Sequence, residues 1–261
     1  MIIGIIPARY ASTRFPGKAL IDIQGKSMIQ RVVEAAWRAK RLDRVVVATD
    51  DARIANHVRG FGGDIVMTRA DHPSGTDRCW EAAQTITNYE LRITNYENSH
   101  PLLTTHSYVL NIQGDEPFLD PAQIDELAGI LDGEVQLATQ MIRVHSAELL
   151  HDPGEAKIIL NDRQEAIYFS RQAIPFLKNV PPDAWHLHHD YYRHVGMYAY
   201  RMDVLEKIGQ LPPSPLERAE SLEQLRWLEA GYRIKLVETY YESHCIDTPA
   251  DVDKVLMLLG R

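Results

Sequence analysis

The sequence predicts an α/β fold: a mostly parallel, Rossmann-like sheet flanked by helices, with a smaller β-rich lobe attached. Two observations set the architecture. Short β-branched runs alternate with helix-periodic stretches through the first 70 or so residues, a pattern that places parallel strands in one sheet joined by right-handed crossovers. From residue 135 the pattern turns to closely spaced strands, which defines the lobe at about 135–200. A third observation bounds the size. With 261 residues, 45% of them hydrophobic, the chain can bury one sizeable core, and we read residues 1–261 as a single domain.

Residues 2–6 form a short, fully buried strand ended by Pro7, and residues 8–18 a loop rich in Arg, Ser, Pro and Gly. Residues 28–39 carry a helical stripe of Met28, Ile29, Val32, Val33, Ala36 and Trp37. Strands are expected over 44–49 and 65–68, with a helix over 51–59 between them. The strand 107–112 delivers Gln113-Gly114-Asp115-Glu116-Pro117, and a helix over 121–131 follows. The lobe strands are 135–144, 156–160, 166–169 and 195–200. A long amphipathic helix over 216–228, a strand over 234–239 and a terminal helix over 249–259 complete the pattern. Thr248-Pro249 with Asp251 nearby is a good start signal for that last helix. Residues 86–97 hold Ile-Thr-Asn-Tyr-Glu twice at a period of seven, too few copies for a solenoid. We read 85–106 as a surface insertion, partly helical at most.

The formal net charge of −8 argues against nucleic acid or an anionic membrane as partner, since either favours a basic surface. Two cysteines are too few for a disulfide framework. The apolar N-terminal run is too short for a signal segment, and no run approaches the roughly 20 residues needed to cross a bilayer. A cytoplasmic protein is expected.

The loop after the first strand gathers Arg9, Arg14 and Lys18 among small residues and Gly17. Cations at that density, with backbone N–H groups able to approach, suit a triphosphate. In an open α/β sheet such a loop lies at the carboxyl ends of the strands, where ligands bind. Two familiar phosphate motifs are absent. Neither Gly17-Lys18 nor Gly25-Lys26 has a glycine five residues before its own glycine, and Gly60, Gly62 and Gly63 make no dinucleotide fingerprint. Asp115 and Asp247 each follow an apolar segment, and carboxylates at strand ends beside a phosphate loop suit Mg²⁺. The tract His186, His188, His189 and Asp190 reads as an exposed loop rather than a zinc site.

Together these residues resemble the CMP-Kdo synthetases, the 3-deoxy-manno-octulosonate cytidylyltransferases. The resemblance is carried by IIPARYASTRFPGKAL (5–20), VVATDD (46–51), MTRADHPSGTDR (67–78), NIQGDEPFLD (111–120), YFSRQAIPF (168–176), YRHVGMYAYR (192–201), SPLERAESLEQLR (214–226) and IDTPADVDKV (246–255). It implies a fold of the nucleotide-diphospho-sugar transferase type and a Mg²⁺-dependent homodimer. Its activity would be the coupling of CTP to Kdo, giving CMP-Kdo and pyrophosphate for lipopolysaccharide. It assigns Arg9, Arg14 and Lys18 to the triphosphate and Asp115 and Asp247 to magnesium. Ala8, Arg69 and Ser74 would line the cytosine pocket, and Gln113, Arg171, His194, Tyr198, Glu220 and Gln224 the sugar acid. Competing readings are a sialate or hexose-1-phosphate enzyme of the same fold, and a regulatory protein that has lost catalysis. The FSR, RHVG and ERAESLEQLR blocks favour Kdo, or an analogue such as its 8-amino form. The complete set of cations and carboxylates stands against lost catalysis.

Overall fold

The β-branched runs pair as the crossover rule requires, and the helices between them cover both faces of one sheet. The computed structural model describes residues 1–11, 15–93, 103–242 and 244–258. In chain order the elements are β1 (Ile2–Ala8), β2 (Asp22–Ile23), β3 (Lys26–Ser27), α1 (Met28–Arg38), β4 (Arg44–Thr49), α2 (Ala52–Gly60), β5 (Asp64–Met67) and α3 (Gly75–Ile93). There follow β6 (Tyr108–Asn111), α4 (Pro121–Gly129), β7 (Leu137–Arg143), α5 (Ala147–His151), β8 (Lys157–Leu160), β9 (Ala166–Ser170), α6 (Trp185–His188) and β10 (Tyr192–Arg201). The chain ends with α7 (Met202–Ile208), α8 (Pro215–Glu220), α9 (Gln224–Glu229), β11 (Ile234–Glu238) and α10 (Pro249–Leu258). Among the described residues no helix is long and apolar enough to cross a membrane.

The main sheet runs β11-β7-β10-β6-β1-β4-β5. β1 pairs in parallel with β4 and β6, β4 with β5, and β11 with β7; β10 is antiparallel to both of its neighbours. Strand alternation sorts β1 between the two cores. Ile3 and Ile5 face Cys79, Ala82 and Ala83 of α3 and Leu205 of α7, whereas Ile6 and Ala8 face Ile29, Val32 and Val33 of α1 and Ile124 of α4. From β1 the chain first builds outward through β4 and β5, then returns to place β6 on the other side of β1. That reversal opens a crevice beyond the carboxyl ends of β1 and β6, the usual ligand position in such sheets.

Four expectations need revision. The β-rich lobe is smaller than its strands suggested, because β7 and β10 belong to the main sheet and only the β8–β9 hairpin branches off, at Tyr192 and Arg193 of β10. Alternation says that a strand forms, not which sheet it joins. The helix expected over 216–228 is two helices. Ser221 takes a left-handed backbone at φ 53°, ending α8 before α9 begins. In addition, α3 runs on to Ile93 into the expected insertion, and Ile86 and Leu103 are buried in the core. The second copy of the repeat lies largely outside the described residues. The histidine tract forms the helical turn α6 rather than a loop, and joins no metal-ligating group among the described residues.

Candidate active site

The first side of the crevice is the loop after β1. Gly17 there has φ 72°, and a Cβ on it would meet the Tyr10 ring at 3.1 Å, so glycine fits this turn on both counts. Its N–H donates to the Tyr10 carbonyl at 2.9 Å, folding the loop back on itself. Arg53 of α2 lies over the Tyr10 ring, its guanidinium carbon 3.3 Å from the centroid. Arg9 is exposed at the mouth of the crevice. Arg14 lies outside the described residues.

The second side is the loop after β6. Gly114 approaches β1 so closely that a Cβ would stand 2.9 Å from the Pro7 carbonyl oxygen. The third contribution comes from the segment before α10, where the Ile246 N–H donates to the Asp115 carbonyl at 2.9 Å. Asp251 accepts from the backbone N–H groups of Asp247 at 3.0 Å and Thr248 at 2.7 Å, fixing the start of that helix. Residues over a hundred positions apart thereby meet. The Lys18 ammonium donates to Asp115 Oδ2 at 2.6 Å, Asp247 Oδ1 at 3.1 Å and the Ile246 carbonyl at 3.3 Å. Burial alone would depress the Lys18 amine; the charge and hydrogen bond of Asp115, then those of Asp247, outweigh it and raise its pKa.

Two adjoining cavities share Gly75 and Gln113. One is lined by Ala8, Arg9, His72, Ser74 and Arg78. Ser74 caps α3, accepting from the Asp77 N–H at 3.2 Å, so a helix N-terminus opens on this cavity. Arg78 is buried, bonded to Thr68 Oγ1 at 2.6 Å and Asp50 at 2.9 Å. Arg69 instead pairs with Asp71 in a neighbouring depression that shares His72 and Pro73.

The other cavity holds Asp115, Asp247, His194, Tyr198, Thr76, Glu223 and Cys245. Gln113 is oriented by donating to the Gly196 carbonyl at 2.9 Å. His194 bonds Thr139 Oγ1 at 3.1 Å, and burial, then the Arg193 charge, pushes its pKa down to about 3, so its ring is neutral here. Burial raises the Glu223 carboxyl, which accepts from Thr76 Oγ1 at 3.0 Å. The phenols of Tyr198 and Tyr200 are also pushed upward by burial, and their rings stack.

Three residues assigned to the sugar do not line this cavity. Arg171 is engaged with backbone carbonyls: its Nε donates to Glu220 at 2.7 Å and its Nη1 to Pro153 at 2.9 Å. The Glu220 carboxylate accepts from Ser170 Oγ at 2.7 Å and the Arg171 N–H at 2.9 Å. Gln224 is buried in α9. Reading 216–228 as one helix put Glu220 and Gln224 on a common face, and the break at Ser221 brings Glu223 to the cavity instead. Arg78, Thr76, Glu223 and Cys245 were missed, although the first three stand inside the quoted motif blocks.

A cation-bearing loop, a helix N-terminus and paired carboxylates meet at the carboxyl edge of this α/β sheet, an arrangement suited to a nucleotidyltransferase. The chain belongs to the cytidylyltransferase family, whose model matches residues 3–235. Its relatives include a 3-deoxy-manno-octulosonate cytidylyltransferase of Cytophaga hutchinsonii, 49% identical over 97% of this chain and 96% of the relative. One of the same name from Geobacter metallireducens is 42% identical over 100% of this chain and 98% of the relative. A solved CMP:2-keto-3-deoxy-manno-octonic acid synthetase complexed with CTP is 40% identical and superposes with a TM-score of 0.83, over 99% of this chain and 98% of that one. A 4-diphosphocytidyl-2C-methyl-D-erythritol synthase from Anaerococcus prevotii, 12% identical with a TM-score of 0.59, shares the fold.

Proposed function

We propose that the protein couples CTP to 3-deoxy-manno-octulosonate, forming CMP-Kdo and pyrophosphate for lipopolysaccharide. The observation that carries this reading is the pair of cavities joined at Gly75 and Gln113, the second of them lined by Asp115 and Asp247, which both bond Lys18. The near full-length likeness to relatives of that name supports it.

The nucleotide takes the cavity of Ala8, Ser74 and Arg78, with Arg69 at its rim, and Arg9, Arg14 and Lys18 neutralise the triphosphate. The sugar acid takes the cavity of Gln113, His194, Tyr198 and Glu223. Arg171, Glu220 and Gln224 act from behind that pocket, holding the loop after β9 against α8 and α9. The sugar's anomeric hydroxyl attacks the α-phosphorus; a new P–O bond forms, the bond to the bridging oxygen breaks, pyrophosphate leaves, and the hydroxyl proton passes to solvent. Positioning and charge stabilisation supply most of the rate in such transfers.

The donor set fits Mg²⁺: two carboxylates within reach of one ion, already holding the Lys18 ammonium between them. Bound there through Asp115 and Asp247, Mg²⁺ would neutralise charge building on the phosphates. Lys18 would then turn from the carboxylates to the triphosphate, keeping a charged partner in both states. A cytoplasmic homodimer completes the reading, and sedimentation velocity tests the dimer.

Pyrophosphate release, measured with each nucleoside triphosphate and a panel of sugar acids, tests the assignment. CTP with Kdo or its 8-amino analogue should give the highest kcat/KM. Equal release with ATP, or preference for a sialate or a hexose phosphate, would overturn it.

A further inference from the structure

The cavity that holds the two aspartates also holds a thiol with no part in the reaction as described. Cys245 is solvent-accessible and lines the cavity with Asp115 and Asp247. One ligand atom from each of the three lies within 4.8 Å of the others. Donors at about 2.0–2.3 Å from one ion stand no more than roughly 4.6 Å apart, so small adjustments bring all three to a common centre. The local chain explains the arrangement. Ile246 is fully buried, packed with Ile23, Met28 and Val255, and its N–H is held by the Asp115 carbonyl. With the residue between them turned into that small core, Cys245 and Asp247 share the opposite side, as alternate residues of an extended segment do. The Lys18 ammonium, bonded to both carboxylates, is direct evidence that this seat holds positive charge.

We propose that Cys245 is a third protein ligand of the cation site, making it an oxygen–oxygen–sulfur centre that takes thiophilic divalent ions such as Co²⁺, Zn²⁺ and Cd²⁺. The inference rests on reading Asp115 and Asp247 as the cation site. Ligation exchanges the thiol proton for the metal: one metal–sulfur bond forms, one S–H bond breaks, and the proton leaves to solvent without any redox change. Mg²⁺ prefers oxygen ligands and gains little from sulfur, so the thiol sets which ion the seat favours. Cys245 is therefore a specificity-determining residue for the metal.

Co²⁺ titration of the full chain without nucleotide tests this, read by ligand-field absorption in the visible and thiolate-to-cobalt charge transfer in the near ultraviolet. The wild-type chain should show both signals at one equivalent. Cys245→Ser should keep the ligand-field bands, lose the charge transfer, and lower the ratio of Co²⁺ to Mg²⁺ affinity by about tenfold or more. Asp247→Asn should weaken both signals. Cadmium NMR of the unaltered chain, which reports sulfur ligation by chemical shift, serves if the variants fold poorly. An unchanged charge-transfer band or affinity ratio in Cys245→Ser would overturn the proposal. So would a thiolate band that survives Asp247→Asn undiminished, which would place sulfur binding away from the seat. Ligand-field bands insensitive to both Asp115→Asn and Asp247→Asn would instead refute the cation site itself.

Discussion

Glu223 is a carboxyl whose burial works against stability while it faces the cavity proposed for the sugar acid. Burial raises its pKa, with the Thr76 hydrogen bond only partly offsetting the effect. A group whose folded pKa is raised is favoured folded below its ordinary pKa and loses that advantage as pH rises through the folded value. Ionised Glu223 therefore costs stability at neutral pH. Glu223→Gln should raise Tm near pH 7, with the gain shrinking as pH falls into the carboxylate range. Its kcat/KM for Kdo should drop about tenfold or more, the value of a charge-assisted hydrogen bond, while KM for CTP holds. A lower Tm at pH 7 would contradict this account. His194 has the opposite sign. Its folded pKa of about 3 lies far below the ordinary value, so its contribution is complete above about pH 6.5 and is lost as pH falls towards 3. Stability of His194→Asn, measured by urea unfolding, should fall less steeply across that window, by up to about 1.4 kcal/mol per pH unit. Equal slopes in the two proteins would show that His194 is not buried neutral.

The individual elements were largely legible in the sequence because they follow local rules. β1, β4, α1 and α10 were expected within a residue or two, each from β-branched runs, apolar periodicity or a Pro-marked start. The misreadings came from places where tertiary contacts decide. Nothing in the periodicity of 216–228 announces the left-handed Ser221, which lets α8 and α9 turn against each other. The tandem repeat at 86–97 looked like surface, yet Ile86 packs with Cys79, Ala82 and Leu103 in the core. Ile86→Ala should therefore cost about 2–5 kcal/mol in urea unfolding, the range for a buried aliphatic truncation. A change below about 0.5 kcal/mol would return this segment to the surface. Any deletion in the repeat should accordingly start beyond Ile86.

At the scale of the molecule, the candidate active-site residues converge because the strand order reverses at β1. The Arg9–Lys18 loop and Gln113–Asp115 leave adjacent parallel strands at the same edge, and the Ile246–Asp115 hydrogen bond draws in the third segment. That two aspartates 132 positions apart would meet was an expectation from strand ends and resemblance; their common contact with Lys18 is a product of the assembled fold. The supporting layer of Arg171 and Glu220 was not legible, since a polar side chain bonded to backbone looks in sequence like one facing a ligand.

The most direct test is pyrophosphate release from CTP, Kdo and Mg²⁺ by the wild-type chain, Asp115→Asn, Asp247→Asn and the double variant. Each single change should lower kcat/KM about a hundredfold or more with the fold intact by circular dichroism, because charge stabilisation at the phosphates is lost. The double variant should be little worse than the poorer single one, as expected of two residues holding one ion. Losses that multiply, or a wild-type chain that releases no pyrophosphate with Kdo, would contradict the account.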